Sequence, residues 1–282
     1  MPTKIINDEQ YEFWNEGIGK KWVKEDTSMN ERFTLLTNEL FSRAKIDKDD
    51  SILDIGCGGG ITSYAASKLV GENGYVIGAD ISEILLDLAK TNYPNIKNLE
   101  FKYCDVQNYE FEKKTFNKVI SRFGVMFFEN PIEAFKNINT SIQDGGSLHF
   151  VCWTNVMENE FFTISANIII NHLNKDFPEI TRAPGPFAFS EEEYIKQILT
   201  TSGFKNIKVE KVNSLISTKD TPEKDGDLLF SIGLGGRLLS EANLSKMELS
   251  IIKNEIIEAC QKRRDNGKST YKACLNYVSA TK

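Results

Sequence analysis

The chain has 282 residues, of which 40% are hydrophobic and 26% are charged, as expected of an ordinary folded domain with a sizeable core. Its formal net charge of −6 argues against a nucleic-acid partner, because a surface that follows phosphates needs an excess of basic residues. The sequence has no apolar run long enough to span a membrane, and its first residues lack the order of a signal peptide, so we expect a cytoplasmic protein.

The first 45 residues predict two helices. Pairs with capping-box spacing mark the two expected starts, Asn7 with Gln10 and Ser28 with Glu31. In such a pair, two polar side chains satisfy N–H groups that the first helical turn leaves free. Aromatic side chains concentrate in this element, at Tyr11, Phe13, Trp14 and Trp22.

Strand and helix patterns alternate over the next hundred residues. Apolar strand-like runs lie near 51–55, 75–80, 99–104, 116–121 and 147–153, and helical patterns lie near 60–70, 82–92 and 130–143. This alternation predicts an α/β fold, with a parallel sheet covered on both faces. Ligands of such sheets bind beyond the carboxyl ends of the strands.

The remaining residues predict further helices and two more strands. A helix over 161–173 precedes a proline-rich loop, and Ser190 with Glu193 is expected to cap the next helix, which ends at Gly203. Later helices are expected to start at Thr221–Pro222 and at Ser245 with Glu248, and strands are expected over 204–212 and 271–280. The glycine-rich segment 233–237 follows no strand, so we expect a flexible bend there.

A glycine-rich turn follows the first predicted strand, in the sequence Ser51-Ile-Leu-Asp-Ile-Gly-Cys-Gly-Gly-Gly60. Glycines at that position let the backbone approach a ligand closely, because no Cβ is in the way. The second predicted strand ends on Asp80, where a carboxylate can accept both hydroxyls of a ribose. Together these features predict a site for an adenosine-containing ligand.

Two kinds of adenosine ligand compete for this site. In the dinucleotide fingerprint G-x-G-x-x-G, Gly56 and Gly58 match, but Ile61 stands at the third position. Asp54 would repel a pyrophosphate, whereas it would attract the ammonium and sulfonium groups of S-adenosylmethionine. The pattern therefore favours S-adenosylmethionine, and an NAD(P)-dependent oxidoreductase is the alternative.

These motifs resemble those of the class I S-adenosylmethionine-dependent methyltransferases. The matching segments follow in order at 54–58, 79–82, 103–107, 116–128 and 145–153, with Asp144 where that family usually has proline. The likeness covers residues 45–155 and extends towards the ubiquinone- and menaquinone-biosynthesis-type small-molecule methyltransferases. It implies a Rossmann-like, mostly parallel seven-stranded sheet with an antiparallel edge hairpin. A single domain would then comprise a helical cap (1–47), a donor-binding core (48–154) and two cap insertions (155–190 and 213–269).

The resemblance also implies which residues bind the donor. They are Asp54, Gly56, Cys57, Gly58, Asp80, Ile81, Asp105, Val106, Ser121, Arg122 and Phe123. Asp54 would face the amino group of the methionine moiety, Asp80 the ribose, and Asp105 the adenine amino group. Arg122 either binds a carboxylate of the donor or substrate, or forms a buried ion pair, and both possibilities stay open.

A substrate pocket is predicted from apolar and aromatic side chains, namely Tyr11, Trp14, Trp22, Met126, Phe127 and Trp153. Methyl transfer mainly requires that nucleophile, methyl carbon and sulfur be held in line, so no catalytic residue is named. His149 and His172 are expected to pack in the core and the cap. The five cysteines share no C-x-x-C spacing, so we expect no metal site.

The sequence therefore favours a methyltransferase that uses S-adenosylmethionine and releases S-adenosylhomocysteine. Its partner would be a small-molecule substrate, without nucleic acid or membrane, and its oligomeric state is open. A non-catalytic module that binds S-adenosylmethionine is the second alternative, because methyl transfer has no obligatory catalytic residue to look for.

Overall fold

The computed structural model of the protein describes residues 5–282. The strands in this part of the chain are β1 Ser51–Ile55, β2 Tyr75–Asp80, β3 Leu99–Tyr103, β4 Phe116–Arg122, β5 Ile142–Trp153, β6 Lys205–Thr218, β7 Arg264–Asp265 and β8 Lys268–Thr281. They form one sheet in the order β3-β2-β1-β4-β5-β8-β6, and the short β7 pairs with β8.

Strands β1 to β5 run parallel, whereas β8 pairs antiparallel with both β5 and β6. This arrangement confirms the predicted fold class, a mostly parallel Rossmann-like sheet with an antiparallel edge hairpin. The hairpin strands are longer than predicted, because β6 continues to Thr218 and β8 begins at Lys268. The helical segment between them is therefore shorter than the predicted range 213–269.

The core lies on both faces of this sheet. Ile52 and Leu53 are neighbours in β1, both completely buried, yet they belong to two different apolar clusters. Successive side chains of a strand point to opposite faces, so each cluster fills one side of the sheet. Burial on both faces explains why the central strands are apolar runs rather than alternating patterns.

The α-helices cover this sheet and extend beyond it. Their bounds are α1 Asp8–Glu12, α2 Ile18–Arg32, α3 Thr34–Ala44, α4 Ile61–Val70, α5 Glu83–Asn92, α6 Pro131–Ser141, α7 Glu160–Leu173, α8 Glu192–Thr201, α9 Pro222–Ser231, α10 Gly233–Ser240 and α11 Lys246–Gln261. Within residues 5–282, none of these helices combines the length and the apolar character needed to cross a bilayer.

In the N-terminal segment, the predicted helix start at Ser28 is wrong, whereas the start at Asn7 is confirmed without its predicted side-chain cap. Ser28 lies inside α2, where its hydroxyl donates to Asp220 at 2.5 Å, and the following helix begins at Thr34. Asn7 precedes α1 but forms no side-chain cap. Its side chain instead accepts from the backbone N–H of Glu129 at 3.2 Å. In both cases a long-range partner takes the polar group that the local pattern assigned to a cap.

Further along the chain, two predicted helix starts are confirmed and one predicted cap is wrong. Thr221 caps α9 through the N–H of Lys224, and Ser245 forms a complete capping box at the start of α11. Helix α8 instead begins after Glu191, without a side-chain cap. The segment 233–237 is also not a flexible bend, because it forms the start of α10.

A buried ion pair joins the N-terminal helix to the insertion between β6 and β8. Arg32, at the end of α2, donates to Asp225 in α9 at 2.7 Å, and neither side chain has solvent exposure. The hydroxyl of Tyr271 in β8 donates to the second carboxylate oxygen of Asp225. We call helices α2, α9 and α10 (18–32 and 222–240) the roof, because residues of all three line one cavity together with the loops that follow β1 and β4.

Candidate active site

The glycine loop after β1 forms the floor of the site. Gly56 has a φ of +67°, and a Cβ added to it would lie 2.6 Å from the Cα of Gly124. Only glycine allows this close approach of the loops that follow β1 and β4. The N–H groups of Gly56 and Cys57 donate to the carbonyl of Ala79, at 2.9 and 3.2 Å, which fixes the loop beside the end of β2.

Asp80 at the end of β2 accepts from the backbone on both sides of the site. One carboxylate oxygen accepts from the N–H of Gly58 and the other from the N–H of Ser82, both at 2.8 Å. Ser82 in turn caps α5 through the N–H of Leu85. Burial raises the pKa of Asp80 to about 6, although the two N–H donors oppose this rise.

Asp54 lies beneath the glycine loop rather than on the cavity wall. It is 1% exposed, and its Oδ2 accepts from the hydroxyls of Thr62 and Ser63 at 2.5 and 2.6 Å. Its Oδ1 has no hydrogen-bond partner among residues 5–282. Burial raises the pKa of Asp54. In this position Asp54 supports the loop and the start of α4, and its contact with a donor amino group stays a prediction.

Asp105 follows β3 and holds the beginning of the described chain. Its Oδ2 accepts from the backbone N–H groups of Ile6 and Asn7 at 3.1 and 3.0 Å, and its Oδ1 accepts from that of Gln107. Asp105 and Val106 both line the cavity. The N-terminal segment therefore lies directly beside the residues predicted to bind adenine.

Arg122, at the end of β4, lines the cavity. Its guanidinium donates to Thr37 at 2.9 Å and to Asn30 at 2.6 Å. Burial lowers the pKa of Arg122 to about 10, although the negative charges of Asp54 and Asp26 raise it. The guanidinium therefore stays a cation at neutral pH. Ser121 lies beneath the loop, where its hydroxyl donates to the carbonyl of Ile55 at 2.7 Å.

A cavity of about 700 Å³ extends from this loop to an aromatic end, within the size range of small-molecule sites. At that end Phe123 stacks on Trp153, with ring centroids 4.5 Å apart. Trp14 contacts Trp22 and Phe127 edge to face, at 5.7 and 5.1 Å. Side chains from both the sheet and the N-terminal helices therefore form the apolar part of the cavity wall.

The cavity wall contains most of the predicted site residues. From the donor set these are Gly56, Cys57, Gly58, Asp80, Ile81, Asp105, Val106, Arg122 and Phe123, and from the substrate set Trp14, Trp22, Met126, Phe127 and Trp153. The wall does not include Asp54 and Ser121, which lie below the loop, or Tyr11, which lies near Tyr103.

Neither histidine lies on the cavity wall. Burial lowers the pKa of His149 to about 4, and its Nε2 lies 2.9 Å from the Ser147 hydroxyl within β5. His172 in α7 lies 2.9 Å from Glu255 in α11. All five cysteines are free and buried, so they pack as small apolar side chains, and two of them, Cys57 and Cys104, reach the cavity wall.

One face of helix α2 lines the cavity, and most of this face was not predicted from the sequence. Its contributions are Ile18, Lys21, Trp22, Asp26, Met29 and Asn30, followed by Phe33. Trp22, Met29 and Phe33 are spaced by seven and four residues, which places them on one helical face. That apolar stripe is the signal that could have identified the face, whereas the polar residues within it carry no sequence signature.

The fold and the cavity together define a Rossmann-like enzyme of the class I methyltransferase type, with a glycine loop and an acidic strand end at the site. The chain belongs to the methyltransferase-domain family, whose family model matches residues 46–203. This membership confirms the predicted S-adenosylmethionine-dependent class and decides against a nicotinamide-dependent oxidoreductase.

Individual relatives agree with this assignment. The chain is 31% identical over 150 residues to a protein of Invertebrate iridescent virus 6 whose name assigns it to the methyltransferases, and it spans 54% of that protein's length and 52% of its own. It is 26% identical over 217 residues to the demethylmenaquinone methyltransferase of Staphylococcus saprophyticus, with 73% of this chain and 83% of that protein covered.

A solved structure supports the fold. The crystal structure of a Bacillus halodurans protein, also named as a methyltransferase, superposes with a TM-score of 0.54 at 16% identity. The match covers 87% of this chain and 97% of the other. At this identity, the similarity concerns the fold alone.

Proposed function

We propose that the protein transfers the methyl group of S-adenosylmethionine to an apolar, ring-containing small molecule. The observation that carries the proposal is a single cavity that joins the glycine loop to an aromatic end. One end offers hydrogen-bonding groups suited to a nucleoside, and the other offers apolar surface. A donor and an acceptor could therefore meet inside one enclosed volume.

The donor end suits each part of S-adenosylmethionine. Asp80 would accept the ribose hydroxyls, as acidic residues do at this place in Rossmann-like folds. Asp105 would accept from the adenine amino group, and the N–H of Val106 would donate to the ring. The guanidinium of Arg122, which is held in place by Thr37 and Asn30, would bind the donor carboxylate.

The acceptor end is formed mainly by aromatic rings, which include Phe33, Phe123, Trp153, Phe161, Phe162 and Phe187. Such walls favour a flat apolar acceptor, because rings stack and pack edge to face. One relative is a demethylmenaquinone methyltransferase, so a reduced quinone is the first acceptor to test here.

The protein's contribution to the reaction is mainly orientation. The donor supplies an electrophilic methyl group on a sulfonium leaving group. The residues of the cavity would hold the acceptor in line with it, which can supply on the order of 7–11 kcal/mol of barrier lowering. The roof would exclude water from this volume. We propose no general base, and we propose a cytoplasmic site of action.

Two measurements test the proposal. Isothermal titration calorimetry with S-adenosylhomocysteine should show saturable binding at one site per chain. Incubation with methyl-labelled S-adenosylmethionine and the reduced form of a short-chain demethylmenaquinone should then yield a labelled, solvent-extractable product. Binding without product for any quinol or phenol would favour the non-catalytic module instead, and no binding would contradict both.

A further inference from the structure

Asp26 in helix α2 lies against the glycine loop from the opposite side of the cavity. A Cβ added to Gly59 would lie 2.4 Å from one carboxylate oxygen of Asp26 and 3.0 Å from the other. The absence of a side chain at position 59 therefore makes room for this carboxylate. Since Gly59 is not one of the residues with positive φ, a Cβ there would disturb the position of this carboxylate rather than the backbone conformation.

Asn30 connects Asp26 to the positive charge of Arg122. The side-chain oxygen Oδ1 of Asn30 accepts from Arg122 at 2.6 Å, and the Asn30 side chain also hydrogen-bonds to Asp26. Residues 26 and 30 lie one helical turn apart, on the same face of α2. A negative and a positive group therefore face the same part of the cavity, and a single amide holds them apart.

The other carboxylates near the loop are occupied by partners of their own. Asp80 accepts from two backbone N–H groups, Asp105 from three, and Asp54 from two hydroxyls. Asp26 is half-buried, and burial raises its pKa while the Asn30 contact and the Arg122 charge lower it. Within residues 5–282, Asp26 differs from these three carboxylates, because it lies on the cavity wall and its hydrogen-bond partner is the Asn30 side chain rather than a backbone N–H or a hydroxyl.

We propose that Asp26, together with Arg122, binds the amino-acid end of the donor, with the carboxylate of Asp26 accepting from its ammonium group. This inference rests on the proposed function and adds a donor-positioning residue from outside the strand-end motifs. An α-amino acid carries its ammonium and carboxylate on one carbon. The Asp26–Asn30–Arg122 row presents the two complementary charges side by side, so it can recognise both at once.

A purely structural role is the competing explanation. Asp26 lies near the start of α4, and a carboxylate near a helix N-terminus stabilises the helix through its dipole. That role would affect folding, and it would affect every ligand of the loop alike. The ammonium-binding role would affect only ligands that carry the amino-acid moiety.

The test compares three ligands on the full-length protein and on two variants. S-adenosylmethionine and S-adenosylhomocysteine carry the amino-acid moiety, whereas 5′-methylthioadenosine has the same nucleoside and sulfur without it. Calorimetry gives the Kd of each ligand for wild type, for Asp26→Asn and for Glu25→Gln. Glu25 is the neighbouring carboxylate, which lies 3.7 Å from Lys24 and off the cavity wall, so it is the matched control.

Asp26→Asn should weaken both amino-acid-bearing ligands by a similar factor, roughly 10- to 100-fold, because a charge-assisted hydrogen bond is lost. Its affinity for 5′-methylthioadenosine and its Tm should stay close to those of wild type, and Glu25→Gln should change none of the values. The inference is overturned if all three ligands weaken equally, if only S-adenosylmethionine weakens, or if no affinity changes. A wild-type protein that binds none of the three would refute the proposed function as well.

Discussion

Replacement of Asp80 by asparagine separates the binding role of this residue from its contribution to folding. The pKa of Asp80 rises from 3.8 to about 6 on folding, chiefly through burial. One pKa unit corresponds to about 1.4 kcal/mol, so the ionised carboxylate costs the free protein about 3 kcal/mol at pH 7. Asparagine removes that cost, but it keeps only one of the two backbone hydrogen bonds, a loss of about 1–3 kcal/mol.

The two terms nearly cancel, so Asp80→Asn should unfold in urea with a free energy equal to that of wild type or up to about 2 kcal/mol higher. The sign of the pH dependence follows from the raised pKa. Wild-type Asp80 contributes stability that is fully present below about pH 4 and is lost as the pH rises through about 6. The variant lacks this dependence, so its relative stability should increase over the same interval.

Ligand binding should respond in the opposite direction. S-adenosylhomocysteine should bind Asp80→Asn roughly 10- to 100-fold more weakly, because a neutral amide cannot accept two ribose hydroxyls. The wild-type affinity should also fall as the pH is lowered through about 6, while that of the variant stays flat. Calorimetry and urea denaturation between about pH 4.5 and 8, a range that spans the pKa of Asp80, give the affinity and the free energy of unfolding as functions of pH. Unchanged affinity would refute the ribose assignment, and a variant destabilised by several kcal/mol would refute the argument that burial of the charge costs as much as the lost hydrogen bond.

Three further substitutions, one of them with a control variant, test the loop, the roof and the aromatic end. Gly56→Ala forces a Cβ to within 2.6 Å of backbone at a φ of +67°, so calorimetry should detect no S-adenosylhomocysteine binding, and near-normal affinity would contradict the close approach. Asp225→Ala leaves Arg32 with Asp220 alone, at 2.9 Å, and removes the acceptor of the Tyr271 hydroxyl, so it should lower the free energy of unfolding by about 2–4 kcal/mol. Asp227→Ala removes an exposed ion pair and should change it by less than about 1 kcal/mol, and equal effects would contradict the buried link. Trp153→Ala should raise the acceptor KM and should leave the Kd of S-adenosylhomocysteine within about threefold of the wild-type value. The reason is that a ring at the acceptor end contributes little to donor binding. A large loss of donor affinity would place Trp153 at the donor instead.

The central sheet and the glycine loop were predictable from the sequence for a physical reason. Strands buried on both faces must be apolar throughout, and a loop that approaches the backbone of Gly124 within van der Waals distance must use glycine. Such constraints act locally and leave a readable pattern. Asp80 could be identified from the sequence, because the strand that precedes it fixes its position at the end of β2.

The polar residues of α2 were not predictable, because their roles depend on partners far away in the chain. Ser28 has the composition of a helix cap, but its hydroxyl donates to Asp220, 192 residues later. Asp26 belongs to the site only because the helix is positioned over Gly59. The start of α10 is similar. Gly235 and Gly236 indicate flexibility in isolation, yet they allow close contact with Ser165 and Ser231.

The buried contact between Arg32 and Asp225 has a consequence for how molecules enter and leave. This contact joins α2 to α9, and Lys21 also donates to the carbonyl of Ser231 at 3.0 Å. We therefore expect the two helices to move together as one rigid body. Opening of the cavity by movement of these helices should be slow, because each opening must separate charges that have no water around them. We therefore expect the quick route for a bulky product to run past the proline-containing segment 179–186, which borders the same volume and lies outside both contacts.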